Sequence, residues 1–233
     1  MNKTYANLDD AIADIPDGAS VAIGGFFTAG TPFHLIQALA RHGAKDLTII
    51  CQSLGPGNED MNQMVLQGQI RKAICNYPFY RSATKGASSP FEQAIRAGKV
   101  EVEVYPMGTF IEKLRAGAAG IAGFYTPTGV GTVVELGKEK RAFNGREYLL
   151  ELAIKPDYAL IHAGKGDWMG NLVCRKTARN YAPEMAASAR VTIASVEELV
   201  EPGQLNPDMV HVPSIYVQRV VKVERLRYIP SIE

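Results

Sequence analysis

The sequence predicts an α/β fold: a single domain over residues 1–233, with a mostly parallel sheet flanked by helices and a β-richer C-terminal half. Three observations predict it. Apolar strand-like runs alternate with helical patterns through the first half. The 233 residues, 46% of them hydrophobic, are enough to bury one large core. Beyond residue 140 the strand signals crowd together and only one helical stretch interrupts them.

Ser20–Gly25 reads as a buried strand, and Thr31 as the N-cap of a helix with Pro32 at its first helical position. Leu35, Ile36, Leu39 and Ala40 form that helix's apolar stripe, and Gly43 stops it. Asp46–Ser53 is the next strand, completing a βαβ unit of the right-handed kind. The alternation continues with a helix over Asp60–Leu66, a strand over Lys72–Asn76 and a helix opened by Ser89-Pro90 and closed by Gly98. A strand over Glu101–Tyr105 and a helix over Thr109–Ala116 follow. Phe124–Thr132, rich in Gly, Pro and Thr, reads as an ordered functional loop. Asn144-Gly145 marks a hairpin between Arg141–Phe143 and Glu147–Leu150. Strands are expected over Tyr158–Ala163, Asn171–Arg175, Val191–Val196 and Ile215–Val223, a turn at Met169-Gly170, and a helix over Pro183–Ala189.

Lys plus Arg number 25 and Asp plus Glu 24, a net charge of +1. That balance argues against a dedicated nucleic-acid binder and against a polybasic membrane-surface protein. No apolar run approaches the ~18 residues of a membrane span, and Met1–Asp17 carries four aspartates and no signal-peptide core. The cysteines Cys51, Cys75 and Cys174 are few and far apart, so zinc and disulfide frameworks are disfavoured and a cytoplasmic protein is expected. No His or carboxylate spacing suggests a metal site.

The segment Asp17–Pro32, DGASVAIGGFFTAGTP, carries the chemistry. A strand ends in two glycines, a short loop follows, and a helix begins. Glycines allow close backbone approach. The carboxyl end of a parallel strand is where α/β proteins place ligands, and a helix N-terminus offers unpaired N–H groups. In detail the segment resembles the signature of the A subunits of family I coenzyme A transferases. Asp17, Gly18, Val21, Ala22, Ile23, Gly24, Gly25, Phe26, Gly30 and Pro32 fit its constrained positions. Further blocks resemble the same family: Arg115-Ala116-Gly117 with Phe124–Thr132, Phe143-Asn144-Gly145 with Leu150-Glu151, and Asp167 with Gly170–Leu172, Arg175-Lys176, Ala178–Asn180 and Pro183–Met185.

The resemblance implies a fold of the CoA-transferase and sugar-phosphate-isomerase type. It implies transfer of CoA from a donor such as succinyl-CoA to a 3-oxo acid, with 3-oxoadipate and acetoacetate as candidate acceptors. A glutamate attacks the acyl-CoA, an acyl anhydride and then a glutamyl-CoA thioester form, and the acceptor carboxylate reverses the steps. In the family that glutamate lies in a Ser-Glu-Asn-Gly context of the B half. No glutamate of this chain precedes Asn-Gly, so the resemblance implies an obligate B subunit, in an α2β2 or larger assembly. The CoA thioester is a substrate, and no cofactor is implied.

By the same resemblance Gly24, Gly25, Phe26, Phe27, Thr28, Ala29 and Gly30 form the CoA- and substrate-binding loop. Gln52 is the candidate oxyanion donor, its alternative role being a strand-end amide that satisfies local backbone. Ser53, Met107, Gly108, Thr128 and Gly129 are further pocket candidates. Two residues depart from the family pattern: Gln52, in the stretch Cys51–Gly55, stands where relatives carry asparagine, and Met107 where they carry glutamine. A less polar acyl group is one reading of Met107. Glu151 reads as an ion-pair partner. His162 is a residue at a strand end that either touches the site or does not. Arg175, Lys176 and Arg179 are a basic group facing phosphates, a partner or solvent. Two other classes stay open: an acyl-CoA hydrolase subunit on the same fold, and a non-catalytic sugar-phosphate or CoA-binding sensor.

Overall fold

The structure is a computed structural model and describes residues 1–54, 59–79 and 88–225. In chain order the first half runs β1 (Thr4–Tyr5), α1 (Leu8–Ile12), β2 (Ser20–Ile23), α2 (Phe33–His42), β3 (Leu47–Cys51), α3 (Glu59–Leu66), β4 (Ile70–Cys75), α4 (Pro90–Arg96), β5 (Glu101–Val104) and α5 (Met107–Ala118). The second half runs β6 (Gly123–Thr126), β7 (Lys140–Phe143), β8 (Arg146–Leu152), β9 (Tyr158–Asp167), β10 (Leu172–Val173), α6 (Ala182–Ser188), β11 (Val191–Val200) and β12 (Arg219–Lys222).

The main sheet has the order β1-β12-β11-β9-β2-β3-β4-β5. Among the described residues every pairing along it is parallel, and β10 alone joins antiparallel, on β9. This is the expected α/β architecture. Because successive side chains of a strand point to opposite faces, the central strands feed two cores. Val21, Ile23, Leu160 and Ile193 pack on one face with Leu35, Ile36 and Leu39 of α2. Ala22, Ala159, Ala163 and Ala194 line the other. Their small side chains leave room for the larger Phe110 and Leu114 of α5 and Met185 of α6. Among the described residues no helix is long and apolar enough to cross a membrane.

The second sheet, β6-β8-β7, is antiparallel and separate from the first. Its β7–β8 hairpin turns at Asn144 (φ 51°) and Gly145 (φ 78°), the two positive values that a tight hairpin of this kind requires. Phe124–Thr132 is not all loop: its first three residues lie in β6, because pairing with β8 from Leu149 to Leu152 satisfies their backbone whatever their composition.

Two other expected strands are shorter. In Asn171–Arg175 only Leu172 and Val173 pair with β9; Asn171 is held in a turn by Asp167, and the Cys174 N–H donates to His211 Nδ1. In Ile215–Val223 the first residues belong to a 3₁₀ turn over Ser214–Tyr216, and the strand starts at Arg219, where Ile193 of β11 is its register partner. The helix expected from Thr109 begins two residues earlier, after Pro106. The short elements β1 and α1 come in addition to those the sequence pattern predicts.

A buried ion triad fastens the small sheet to α5. Glu151 of β8, 1% exposed, accepts from Lys113 Nζ at 3.0 Å and also pairs with Lys138. Lys113 Nζ lies 4.3 Å from the centre of the Tyr105 ring, a cation–π contact that further compensates its burial. Glu151 is therefore an ion-pair partner. Removing one member of such a group leaves charge stranded out of water. Glu151→Ala is expected to lower the free energy of unfolding by about 3–5 kcal/mol in urea titration, and the double variant Lys113→Met/Glu151→Leu is expected to recover most of that loss.

Candidate functional site

The glycine-rich segment leaves the sheet at the carboxyl end of β2, where the Gly24 N–H donates to Leu160 O at 2.9 Å. Phe26 and Ala29 close a two-residue turn, each N–H donating to the other's carbonyl at 3.0 Å. Phe27 occupies the first central position with φ 53°, a conformation ordinarily left to glycine. The Thr31 hydroxyl donates to Phe27 O at 2.6 Å and holds the turn down. Thr31 is consequently not the helix N-cap. That position falls to Pro32, without any side-chain cap, and α2 starts at Phe33. The threonine side chain is turned toward the loop, where its hydroxyl donates, and makes no cap hydrogen bond to the helix.

Two glycines are required by contact as well as by φ. At Gly25 (φ 112°) a Cβ would lie 2.3 Å from Thr31 Oγ1 and 2.8 Å from Thr31 Cα. At Gly30 (φ 75°) it would lie 2.3 Å from Ala178 O. The 3₁₀ turn over Lys176–Arg179 is thus pressed onto the loop. Asn180, just after it, clamps the two together by donating Nδ2 to Ala29 O at 2.8 Å. Phe26 anchors the loop from below: its ring stacks on Tyr181 (6.5 Å, interplanar angle 9°), and Tyr181 meets Phe110 edge-on at 5.8 Å.

Gln52, one residue beyond β3, is 1% exposed. Its Oε1 accepts from the Phe27 N–H at 3.4 Å, and its Nε2 has no hydrogen-bond partner among the described residues. An unmet buried donor is costly. Gln52 borders a cavity of about 10 Å³ lined also by Gly24, Gly25, Phe27, Thr31 and Ser53, with Ile23, Cys51 and Met61 completing the wall, room for about one oxygen-sized group. Among the described residues no carboxylate lines this cavity. The ionisable group in its wall is the Cys51 thiol, which burial pushes well above its ordinary pKa. Cys75 and Cys174 are likewise held as thiols by burial, pushed up to about 12 and about 11.

Two larger cavities border the loop. One, about 390 Å³, is mostly apolar and is lined by Phe26, Met107, Gly108, Ile111, Asn180, Tyr181 and Glu184. The other, about 210 Å³, is charged: Thr28 and Thr31 of the loop face His34, His162, Arg175 and Glu197. The structure therefore brings Ser53 to Gln52, and Met107 and Gly108 to the Phe26 side of the loop. Thr128 and Gly129 are elsewhere, Gly129 packing against Val134 and Leu149 after β6, and neither is among the residues lining these cavities. Gly55 lies outside the described residues. His162 sits within β9, not at its end. Arg175 is salt-bridged to Glu197 at 3.0 Å. Sequence reasoning missed Glu197 and the clamping role of Asn180. Strand alternation alone places Glu197 on the face of Ile193 and Ser195, but nothing local pairs it with β9.

The sequence profile of the coenzyme A transferase family matches residues 5–223. The chain belongs to the coenzyme A transferase family. It is 44% identical over 223 residues to the A subunit of the 3-oxoadipate CoA-transferase of Pseudomonas putida, covering 96% of this chain and 94% of that one. It is 44% identical over 225 residues to the A subunit of the succinyl-CoA:3-ketoacid coenzyme A transferase of Helicobacter pylori strain J99, covering 97% and 94%. An acyl-CoA transferase of Escherichia coli O157:H7, solved as a thioester complex with CoA, shares the fold with a TM-score of 0.82 at 24% identity; the match covers 95% of this chain and 47% of that one. Within this family the signature glycines now have a physical reason, since they admit the Ala178 carbonyl and the Thr31 hydroxyl into van der Waals range of the loop. Gly30→Ala is expected to cost at least about 2 kcal/mol of stability in chemical denaturation and to abolish transfer activity. Ala178→Gly, which leaves the carbonyl in place, is not expected to rescue it.

Proposed function

We propose that this chain is the A half of a two-subunit transferase that moves CoA between an acyl-CoA and a 3-oxo acid, with the glutamate nucleophile supplied by a B subunit. One observation carries the reading: beneath the glycine loop a buried amide donor, Gln52 Nε2, has no partner among the described residues, and among those residues no carboxylate lines the small cavity that Gln52 borders. A donor held ready beside an oxygen-sized space suits an oxyanion. In this reading the carboxylate nucleophile enters from another chain.

The chemistry that the resemblance to family I transferases implies suits that arrangement. The partner's carboxylate attacks the thioester carbonyl; the carbonyl oxygen gains negative charge and takes the Gln52 N–H as donor. The C–S bond breaks and CoA leaves as thiolate. The thiolate attacks the glutamyl carbonyl of the anhydride, the acyl group departs as its carboxylate, and the acceptor acid runs the two steps backwards. The Phe27 N–H holds Gln52 Oε1, so the amide is oriented before substrate arrives and little reorganisation is required. Relatives named for 3-oxoadipate and for succinyl-CoA:3-ketoacid transfer support the acceptor class. The 47% coverage of the longer bacterial transferase supports a second half of similar size.

The test is to purify this chain alone and with the product of its neighbouring gene, and to assay transfer from succinyl-CoA to 3-oxoadipate and to acetoacetate. Transfer is expected only from the mixture; turnover by this chain alone would overturn the reading, and CoA release without an acceptor would replace it with a hydrolase. In the active mixture Gln52→Leu is expected to lower kcat by about 10²–10³ with KM changed less than about threefold.

A further inference from the structure

Gln52 is held at two points, and one of them is weak. Its main chain is pinned by the sheet: Gln52 O accepts from the Asn76 N–H and from the Tyr77 N–H, both at 3.1 Å. Its side chain has one hydrogen bond among the described residues, from the Phe27 N–H to Oε1. At 3.4 Å that contact lies at the far end of hydrogen-bonding range. A retreat of the Phe27 peptide by about half an ångström would break it and leave the amide free to turn. The aim of Nε2 is therefore set by where the loop holds Phe27.

The loop does not keep that position unaided. Phe27 is at φ 53°, and a residue with a side chain persists in such a conformation only where its surroundings enforce it. Two side chains from different parts of the chain do so. Thr31, buried just before α2, donates its hydroxyl to Phe27 O at 2.6 Å. Asn180 approaches from the 176–180 turn and donates Nδ2 to Ala29 O at 2.8 Å; the same carbonyl accepts the Phe26 N–H that closes the loop's turn. The rest of the Asn180 amide is committed as well. Nδ2 also reaches Thr177 O at 3.1 Å, and Oδ1 accepts from the Tyr181 N–H at 2.7 Å. With its hydrogens donated and its oxygen accepting, this amide cannot be turned over without loss.

We propose that Thr31 and Asn180 are positioning residues for the transfer step: they lock the Phe27 turn, and through it they fix the amide of Gln52. The inference rests on the reading of Gln52 as the oxyanion donor. Thr31 and Gln52 are both buried, so water does not stand in for a hydrogen bond lost between loop and amide. Thr31, Asn180 and Gln52 act in series on one transition-state contact. Once Gln52 is gone, the two positioning residues have nothing left to aim, and their losses do not multiply with its loss. A residue that only stabilised the fold would lower activity by the same factor with Gln52 present or absent.

The test is a pair of double-mutant cycles in the assembled A/B enzyme. Thr31→Val removes the hydroxyl at nearly constant shape, and Thr31→Ser keeps it. Asn180→Asp sets a carboxylate oxygen against Ala29 O. Thr31→Val and Asn180→Asp are each expected to lower kcat at least about tenfold with KM changed less than about threefold, and Thr31→Ser to recover kcat to within about threefold of wild type. On a Gln52→Leu background the same two substitutions are expected to cost less than about twofold more. Undiminished losses on that background overturn the proposal, as do unchanged kcat values in both variants or a loss carried by KM alone. If urea titration shows that Thr31→Val does not fold, Asn180→Asp on the two backgrounds decides by the same criteria. A Gln52→Leu enzyme with wild-type kcat sinks the oxyanion reading and this inference with it. A Gln52→Leu loss to which Thr31→Val and Asn180→Asp are not coupled sinks this inference alone.

Discussion

The contact between Gly30 and the Ala178 carbonyl is the constraint on which the site depends. It lets the 176–180 turn lie directly on the glycine loop, and from that position Asn180 reaches Ala29 O. Tyr181, next in the chain, then falls under Phe26 and carries the loop's anchor into the core through Phe110. The same turn leads out of Arg175, whose guanidinium enters the charged cavity. A side chain at position 30 would push these features apart together, because the obstacle is backbone and has no rotamer into which to retreat.

The loop itself is a tensioned element. Phe27 sits at positive φ, and the Thr31 hydroxyl and the Phe26–Ala29 pair of hydrogen bonds hold it there. This conformation aims the Phe27 N–H at Gln52 Oε1 and leaves Nε2 of the same amide unmet. Strain in the loop and an unsatisfied donor beside it both cost stability, and both sit at one point of the molecule. Elsewhere apolar residues alternate between the two cores and the buried charge of Glu151 is paired twice, while buried polar atoms without a hydrogen-bond partner among the described residues also occur away from the loop, at Asn76 Oδ1 and Thr109 Oγ1 among others.

Much of the fold is legible in the sequence because its signals are local. Ser89-Pro90 does open α4 as an N-cap and first-turn proline, Gly43 does end α2 in a left-handed C-cap, and Asn144-Gly145 does turn the hairpin. The departures share a cause: each is decided by a partner that the local pattern does not show. Thr31 has the chemistry of a cap, but its hydroxyl is claimed by Phe27, and the Gly- and Thr-rich stretch after residue 123 becomes a strand only because β8 runs beside it. The strand expected to begin at Ile215 waits until Arg219, where β11 first offers a neighbour.

By itself the sequence determined the α/β class, the parallel strand alternation, and the position of the glycine loop, because apolar periodicity, turn residues and a glycine signature are properties of contiguous residues. It also showed, by the absence of Glu-Asn-Gly, that the family's nucleophile context is not in this chain. Only the tertiary structure decided what surrounds the loop. Gln52 comes from the end of β3, Asn180 and Arg175 from the turn beyond β10, and Glu197 from β11. β2 and β3 end at this edge while β9 and β11 run on past it and β10 returns antiparallel along β9, and no pattern within a single segment encodes which strand will lie beside which.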